Sequence, residues 1–271
     1  IADGGSTNKT LTLAKKYHCH IIKNSLKTAE AGKAVGVKAA KGEYVALIDS
    51  DNILPNKYWL SQMLLPFEDA NIIGSEPIAF TYRKNAGFIE RYSALLGAND
   101  PYAYFSGNYD RYSYLSNKWT NIKIKTEDKQ SYLKLKIEDC ILLPTIGANG
   151  TLFKRDFLLK NIKGDYLFDI DILAQAKKPI YFAKVKNSII HTFCESSIKK
   201  FFKKQNRRLT DYYHYRSLRH YQWTQNSKSI SFALYSLLIL PALFDSFRGF
   251  IKKPDMAWFF HPLACFGTTL I

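Results

Sequence analysis

The feature that most limits what this chain can become is an alternation within its first fifty residues. IAD reads as the end of a strand, Ser6 or Thr7 can cap a helix through Leu11, Leu13 and Ala14, and HCHIIKN reads as a second strand. AEAGKAVGVKAAKG then has the pattern of a helix, and EYVALID that of a strand of β-formers ending on carboxylates. Strand, helix, strand, helix, strand at this spacing predicts an α/β fold with a parallel, Rossmann-like sheet. Sheets of that kind bind ligands outside the carboxyl ends of their strands, where Asp3 and the run Asp49-Ser50-Asp51 both fall. Two strand ends presenting acids to one crevice predict a site there.

Further along, a helix through Trp59, Met63 and Leu64 is expected, followed by the strand NIIGSEPIAF. From Gly97 to about Cys140 the chain loses periodicity and collects Tyr102, Tyr104, Phe105, Tyr109, Tyr112 and Tyr114 among Asn, Ser, Gly and Asp. That stretch reads as a long irregular insert, a class of segment that tends to be functional; stacking on a ligand and plain packing are both open for its rings. Two strands, PIYFAKV and NSIIHTF, are expected after a further helical segment. The 271 residues suit one large α/β domain with an appendage, or two small domains. Cys19, Cys140, Cys194 and Cys265 form no CxxC pair and are expected to be reduced in a cytosolic setting. Because IADGGST looks like a strand already under way, an N-terminal strand is expected to be missing.

Charge is unevenly distributed. The net charge is +16, and between Lys199 and Lys228 nine basic residues face one acid, Asp211, so about a ninth of the chain carries half of it. A basic segment this dense calls for an anionic surface. Residues 230–244, ISFALYSLLILPALF, follow with no formal charge, and a second apolar run, MAWFFHPLACFGTTLI, closes the sequence. At about 1.5 Å per residue the first run covers roughly 22 Å, short of a roughly 30 Å hydrocarbon core, so a short span, a re-entrant hairpin, an interfacial helix and a buried core helix are all open. The adjoining basic cluster, with Trp223 and Trp258 near the edges, favours association with an anionic membrane, basic side toward the cytoplasm.

Asp49-Ser50-Asp51 is the sharpest motif: two carboxylates two apart at a strand end can face a hard divalent ion whose other positions go to water and phosphate oxygens. Taken in order, DGGSTNKT, GKAVGVKAAKGEYVALIDSDN, IGANGTLFKRDFL, LFDIDIL and a His before a basic helix resemble a family 2 glycosyltransferase of the GT-A fold over roughly residues 1–210. The resemblance implies a Rossmann-like, mixed but mostly parallel sheet flanked by helices, and an inverting transferase of the EC 2.4 class, dependent on Mn²⁺ or Mg²⁺ and using a UDP- or GDP-sugar. Asp3, Lys33, Asp49, Asn149 and Gly150 would then bind the nucleotide sugar, Asp51 and His191 the metal, and Asp169 would be the general base. For His191 a hydrogen-bonded histidine at a strand end is an equal alternative, and the Asn149-Gly150 pair also suits a tight turn. Asp171 would be a helix N-terminal acid supporting the loop.

Several positions depart from the family pattern. Phe168 stands where a Glu usually precedes the base, Lys33-Ala34 replaces an Arg-Asn pair, and Asn52 replaces a frequent third acid. Gln205-Asn206-Arg207-Arg208-Leu209 resembles the QxxRW of processive synthases but lacks the Trp, so Arg207 and Arg208 are candidates for lipid phosphate or donor pyrophosphate and no processive synthase is inferred. The expected organisation is a transferase domain over residues 1–195, a basic amphipathic juxtamembrane helix over 196–228, and a hydrophobic membrane-associated segment over 229–271. The acceptor would be a lipid-linked or cell-envelope glycan at the cytoplasmic membrane face. An inactive scaffold on the same fold is the alternative; nucleic-acid binding is disfavoured, because the basic cluster abuts an apolar tail and no RNA- or DNA-binding motif accompanies it.

Overall fold

Short strands and helices alternate at the start of the molecule, in the order expected. The computed structural model describes residues 1–138, 143–162, 164–218 and 226–271; Cys140 and Trp223 lie outside them. Strand β1 (Ala2–Asp3) leads into helix α1 (Thr10–Lys16), β2 (Ile22–Lys23), α2 (Ala29–Ala39) and β3 (Tyr44–Ile48). Thr28 caps α2 by accepting from the Ala31 N–H, while the start of α1 is held by Asn8, whose side-chain oxygen accepts from the Thr10 N–H at 3.0 Å, and not by Ser6 or Thr7. A two-residue strand, β4 (Asn52–Ile53), and helix α3 (Trp59–Leu64) precede the long strand β5 (Ile72–Phe80).

The main sheet runs β3-β8-β5-β9-β7-β6, with β4 pairing to β9, and β1 with β2 form a separate parallel pair. Here β6 is Lys125–Asp128, β7 is Tyr132–Ile137, β8 is Asn149–Lys154 and β9 is Ile180–His191. The expected α/β class and mixed sheet are present, with fewer parallel contacts than the alternation alone suggests: β1–β2 and β5–β9 are parallel, and the other described pairings are antiparallel. The reason is β8, which enters from a distant part of the chain and lies antiparallel between β3 and β5. The two strands expected near residues 180–193 are one twelve-residue strand, long enough to pair with β5, β7 and β4.

The insert is less irregular than its composition suggests. Helices α4 (Phe88–Leu96) and α5 (Pro101–Ser106) flank its start, and its second half is the β6–β7 hairpin at the sheet edge. β6 reads KTED and is exposed throughout, so it carries none of the apolar alternation by which a strand is recognised. The tyrosines mostly pack on one another and on later helices: Tyr109 is buried against Tyr104, Tyr112 meets Tyr114 edge-on, and Tyr102 meets Phe232. That is the packed-loop alternative.

After α6 (Arg155–Asn161) and α7 (Asp169–Gln175), the C-terminal third is helical: α8 (Ile198–His214), α9 (Asn226–Leu237), α10 (Leu240–Lys252) and α11 (His261–Thr269). The basic helix expected over 196–228 is therefore shorter, ending at His214. The second apolar run turns inward. Trp258 and Phe260 are buried on α4, and Trp258 is a core residue, not an edge anchor. Gly249 permits this, since a Cβ there would lie 2.5 Å from the Trp258 ring. Polar bonds fasten the same region: Arg91 pairs with Asp255 at 2.9 Å, and His261 receives or gives a hydrogen bond to Tyr92 at 2.7 Å. No single described helix is long and apolar enough to cross a membrane; α9 and α10 meet at an 83° bend. Exposed apolar side chains concentrate on that bend, among them Leu234, Leu238, Leu240, Phe244, Phe247 and Ile251.

Candidate active site

Register, not sequence proximity, assembles the candidate residues. Ile48 at the end of β3 pairs with Asn149, and Asn52 in β4 pairs with His191, so residues 49–51 bridge the ends of β8 and β9. Thr192 tightens this clamp, giving both its N–H, at 2.9 Å, and its hydroxyl to the Asp51 carbonyl. Asn52, read from the sequence only as a replaced acid, is the link within the turn: its oxygen accepts from the Asp49 N–H at 3.1 Å, and its NH₂ donates to Asn149 Oδ1 at 3.0 Å.

Two carboxylate centres result. At the first, Asp51 Oδ2 lies 3.3 Å from His191 Nε2 and 2.8 Å from Lys204 Nζ. Burial would raise the Asp51 carboxyl, but the hydrogen bonds and charge of His191 and Lys204 hold it well below the usual carboxylate range. His191 is buried between Phe80 and Phe193, and its Nδ1 has no hydrogen-bond partner among the described residues. Among the described residues no group of three or more His, Cys, Asp or Glu side chains is arranged to hold a metal. One carboxylate and one imidazole nonetheless suit an ion that takes its remaining positions from water and phosphate, as Mg²⁺ and Mn²⁺ do beside a diphosphate.

At the second centre Lys33 Nζ lies 2.7 Å from Asp169 Oδ2, both side chains being largely buried. Gly147 flanks the same oxygen: a Cβ there would come within 3.6 Å of it. Asp169 Oδ1 is buried with no hydrogen-bond partner among the described residues. Burial pushes the Asp169 carboxyl up, Lys33 opposes this, and the charge of Asp49 adds to the rise. Lys33 is itself held protonated, its burial outweighed by Asp169 and Asp49. Lys33, Asp49 and Asp169 thus sense one another, and the ammonium expected at a phosphate rests on a carboxylate.

The other candidates are placed differently. Asp3 turns back on its own loop, accepting from Ser6 Oγ and from the N–H groups of Gly5 and Ser6, which lower its carboxyl. Gly150 is buried at the β3–β8 bulge with φ +81°, and a Cβ there would lie 2.6 Å from Ile189, so packing accounts for it. Arg207 sits on the outer face of α8, 3.9 Å from Asp211, whereas Arg208 turns inward over the Phe193 ring and donates to the Asn99 carbonyl. Asp171 lies buried in the first turn of α7.

Sequence reasoning missed a buried ionic group directly beneath. Glu76 on β5 and Lys184 on β9 have no exposed side-chain surface; Arg111 of the insert, equally buried, lies 2.7 Å from Glu76, and Asp110 completes two acids against two bases. Burial would raise Glu76, but Arg111 and Lys184 keep it below its ordinary range; burial drives Asp110 up to about 6. Arg111 also donates to the Asn149 carbonyl at 3.1 Å and Glu76 accepts from the Thr151 hydroxyl at 3.0 Å, so the group grips the start of β8. The signal was present: one acid in NIIGSEPIAF and one base in PIYFAKV, each alone in an apolar strand.

A profile described as Glycosyl transferase family 2 matches residues 1–161, more than half of the chain. The chain belongs to glycosyltransferase family 2. Its fold is GT-A, and the family supports glycosyltransferase activity with a nucleotide-sugar donor and an acceptor. No curated protein matches it. The matched region contains the DGGST turn, Lys33, the Asp49–Asp51 run and Asn149; Asp169, His191 and α8 lie beyond it.

Proposed function

We propose that this family 2 transferase moves a sugar, with inversion, from a UDP- or GDP-sugar to a lipid-linked or cell-envelope glycan acceptor at the cytoplasmic face of a membrane, with Asp169 as general base. The observation that carries the reading is the split environment of Asp169: Lys33 fixes one oxygen, and the other is buried and lacks a partner among the described residues. A base needs a carboxylate whose position is locked and an oxygen that is not already committed to a protein donor. The acceptor hydroxyl gives its proton to the Asp169 carboxylate as its oxygen bonds to the anomeric carbon from the face opposite the nucleotide. The bond from that carbon to the diphosphate oxygen breaks, and the diphosphate leaves with the electron pair. Asp49 and Asn149 border the donor side through the Asn52 link.

Asp51 and His191 would hold Mn²⁺ or Mg²⁺, which when bound neutralises charge on the departing diphosphate. Support for the membrane location is the exposed apolar side chains of the α9–α10 bend together with the exposed Lys199, Lys203 and Arg207 of α8. The deciding measurement is a titration of wild type and Asp169→Asn with UDP- and GDP-sugars, with and without Mn²⁺, beside a transfer assay. Donor binding retained with transfer abolished is the expected result. An active Asp169→Asn enzyme removes the base assignment, and a folded wild type that binds no donor indicates an inactive scaffold on the same fold.

A further inference from the structure

The metal-side carboxylate already faces a cation supplied by the protein. Lys204 reaches across from α8 to Asp51 Oδ2, the same oxygen that His191 approaches. Its backbone is fixed: Phe201, one turn earlier, is fully buried, and Gln205 donates to the Asn99 carbonyl at 2.8 Å. Asp51 is equally fixed, through the two bonds from Thr192 to its carbonyl. What can move is the Lys204 side chain. It is 31% exposed, lies over the Phe193 ring with its ammonium 4.7 Å from the centroid, and ends in a compact charge on four rotatable bonds. Arg208, one turn on, covers the same ring from 5.2 Å, so positive charge stays beside Asp51 when Lys204 leaves.

We propose that Lys204 is a tethered counter-ion that occupies the cation side of Asp51 until metal and nucleotide diphosphate arrive together, then exchanges its carboxylate partner for the diphosphate. This rests on the reading of Asp51 and His191 as metal ligands. A divalent ion alone must displace an ammonium from its main carboxylate ligand and leave that ammonium beside a dication. With a diphosphate present the displaced ammonium gains an anionic partner within reach of the same side chain. Metal and nucleotide therefore bind cooperatively, and the coupling is reciprocal.

The test measures Mn²⁺ binding by calorimetry and by the spectrum of free Mn²⁺, with and without UDP, on wild type, Lys204→Met, Lys204→Arg and Asp51→Asn. Removing one charge-assisted, partly exposed contact should let Lys204→Met bind Mn²⁺ alone about three- to tenfold more tightly than wild type. The same variant should lose most of the mutual enhancement between Mn²⁺ and UDP. Lys204→Arg, which keeps the charge, should stay close to wild type and shows that the gain does not come from disturbed folding. Lys204→Met binding Mn²⁺ no more tightly than wild type overturns the proposal. If Asp51→Asn still abolishes Mn²⁺ binding in the presence of UDP, the metal site stands and only the role of Lys204 falls. If neither wild type nor Lys204→Met binds Mn²⁺ with UDP present, the metal reading fails and takes this proposal with it.

Discussion

At the scale of single residues, Lys33 has the sharpest consequence. Its ammonium lies on Asp169, and of the groups around that carboxyl it opposes the rise that burial causes. Lys33→Met removes the opposition, so the carboxyl of Asp169 rises further and the base is protonated at a higher pH. The acid limb of a kcat/KM profile should move to higher pH in Lys33→Met, and a profile that stays in place separates Lys33 from the base. Gly150 makes a stability claim instead. Ala at φ +81° costs about 1–3 kcal/mol in backbone strain, and the added carbon meets Ile189 and the Trp59 ring. Gly150→Ala should therefore lower the urea midpoint clearly, with a further loss in activity because the bulge sets where Asn149 stands.

At the scale of elements, legibility followed periodicity. The helices α1, α2 and α3 and the strands β3 and β5 could be read from their apolar residues, and the two-residue β1 and β2 from their place in the alternation. β6 could not, being polar on both faces, and β9 was divided because Lys184 and Lys186-Asn187 interrupt its apolar pattern. Asp49, Asp51, Asn149 and His191 could be chosen by residue type and resemblance; that β3, β8, β4 and β9 would bring them to one edge is a matter of register between distant segments, which no local pattern encodes. The buried ionic group escaped for the same reason. Removing one of its charges leaves the others without compensation, so Glu76→Gln should cost about 3–5 kcal/mol in denaturant unfolding, more than an exposed acid would. The C-terminal helices carry a pH dependence of their own. His261 is enclosed by Tyr92, Tyr235 and Cys265, with Asp245 one hydroxyl away; burial lowers it to about 4, partly offset by Asp245. Unfolding lets it take up a proton that the folded state refuses, so its contribution to stability is complete above about 6.5 and is lost as pH falls toward 4. Thermal midpoints should fall more steeply between pH 7 and 5 in wild type than in His261→Gln.

At the scale of the whole molecule, the tail divides into two parts with opposite roles. The run from Met256 onward contributes core residues: Trp258, Phe260 and Ala264 are buried against α4 and its neighbours, Cys265 is buried with Phe232 and Ala242, and the Arg91–Asp255 pair holds the entry to that run. The run from Ile230 to Phe244 buries Phe232 and Ala242 with Cys265 and exposes Leu234, Leu238, Leu240 and Phe244 on its other side, at a bend of 83° between two helices each too short to span a bilayer. Under the proposed membrane location, that shape suits shallow insertion of the apolar side chains, with each exposed lysine of α8 that reaches anionic headgroups worth about 1 kcal/mol. Deleting residues 199–271 would be a poor test, because it removes core residues and Lys204 along with the bend. The informative variant is Phe244→Ser/Phe247→Ser, which changes two exposed rings, of which Phe247 also meets Phe259 edge-on. It should weaken sedimentation with anionic vesicles by about tenfold or more, since each ring carries roughly 1–2 kcal/mol of transferable apolar surface. Raising salt on the wild type should release only part of the bound protein, because the basic face is screened and the apolar bend is not. Full release by salt, with the double variant binding like wild type, would mean that α8 alone holds the surface and that the bend is covered by something other than lipid.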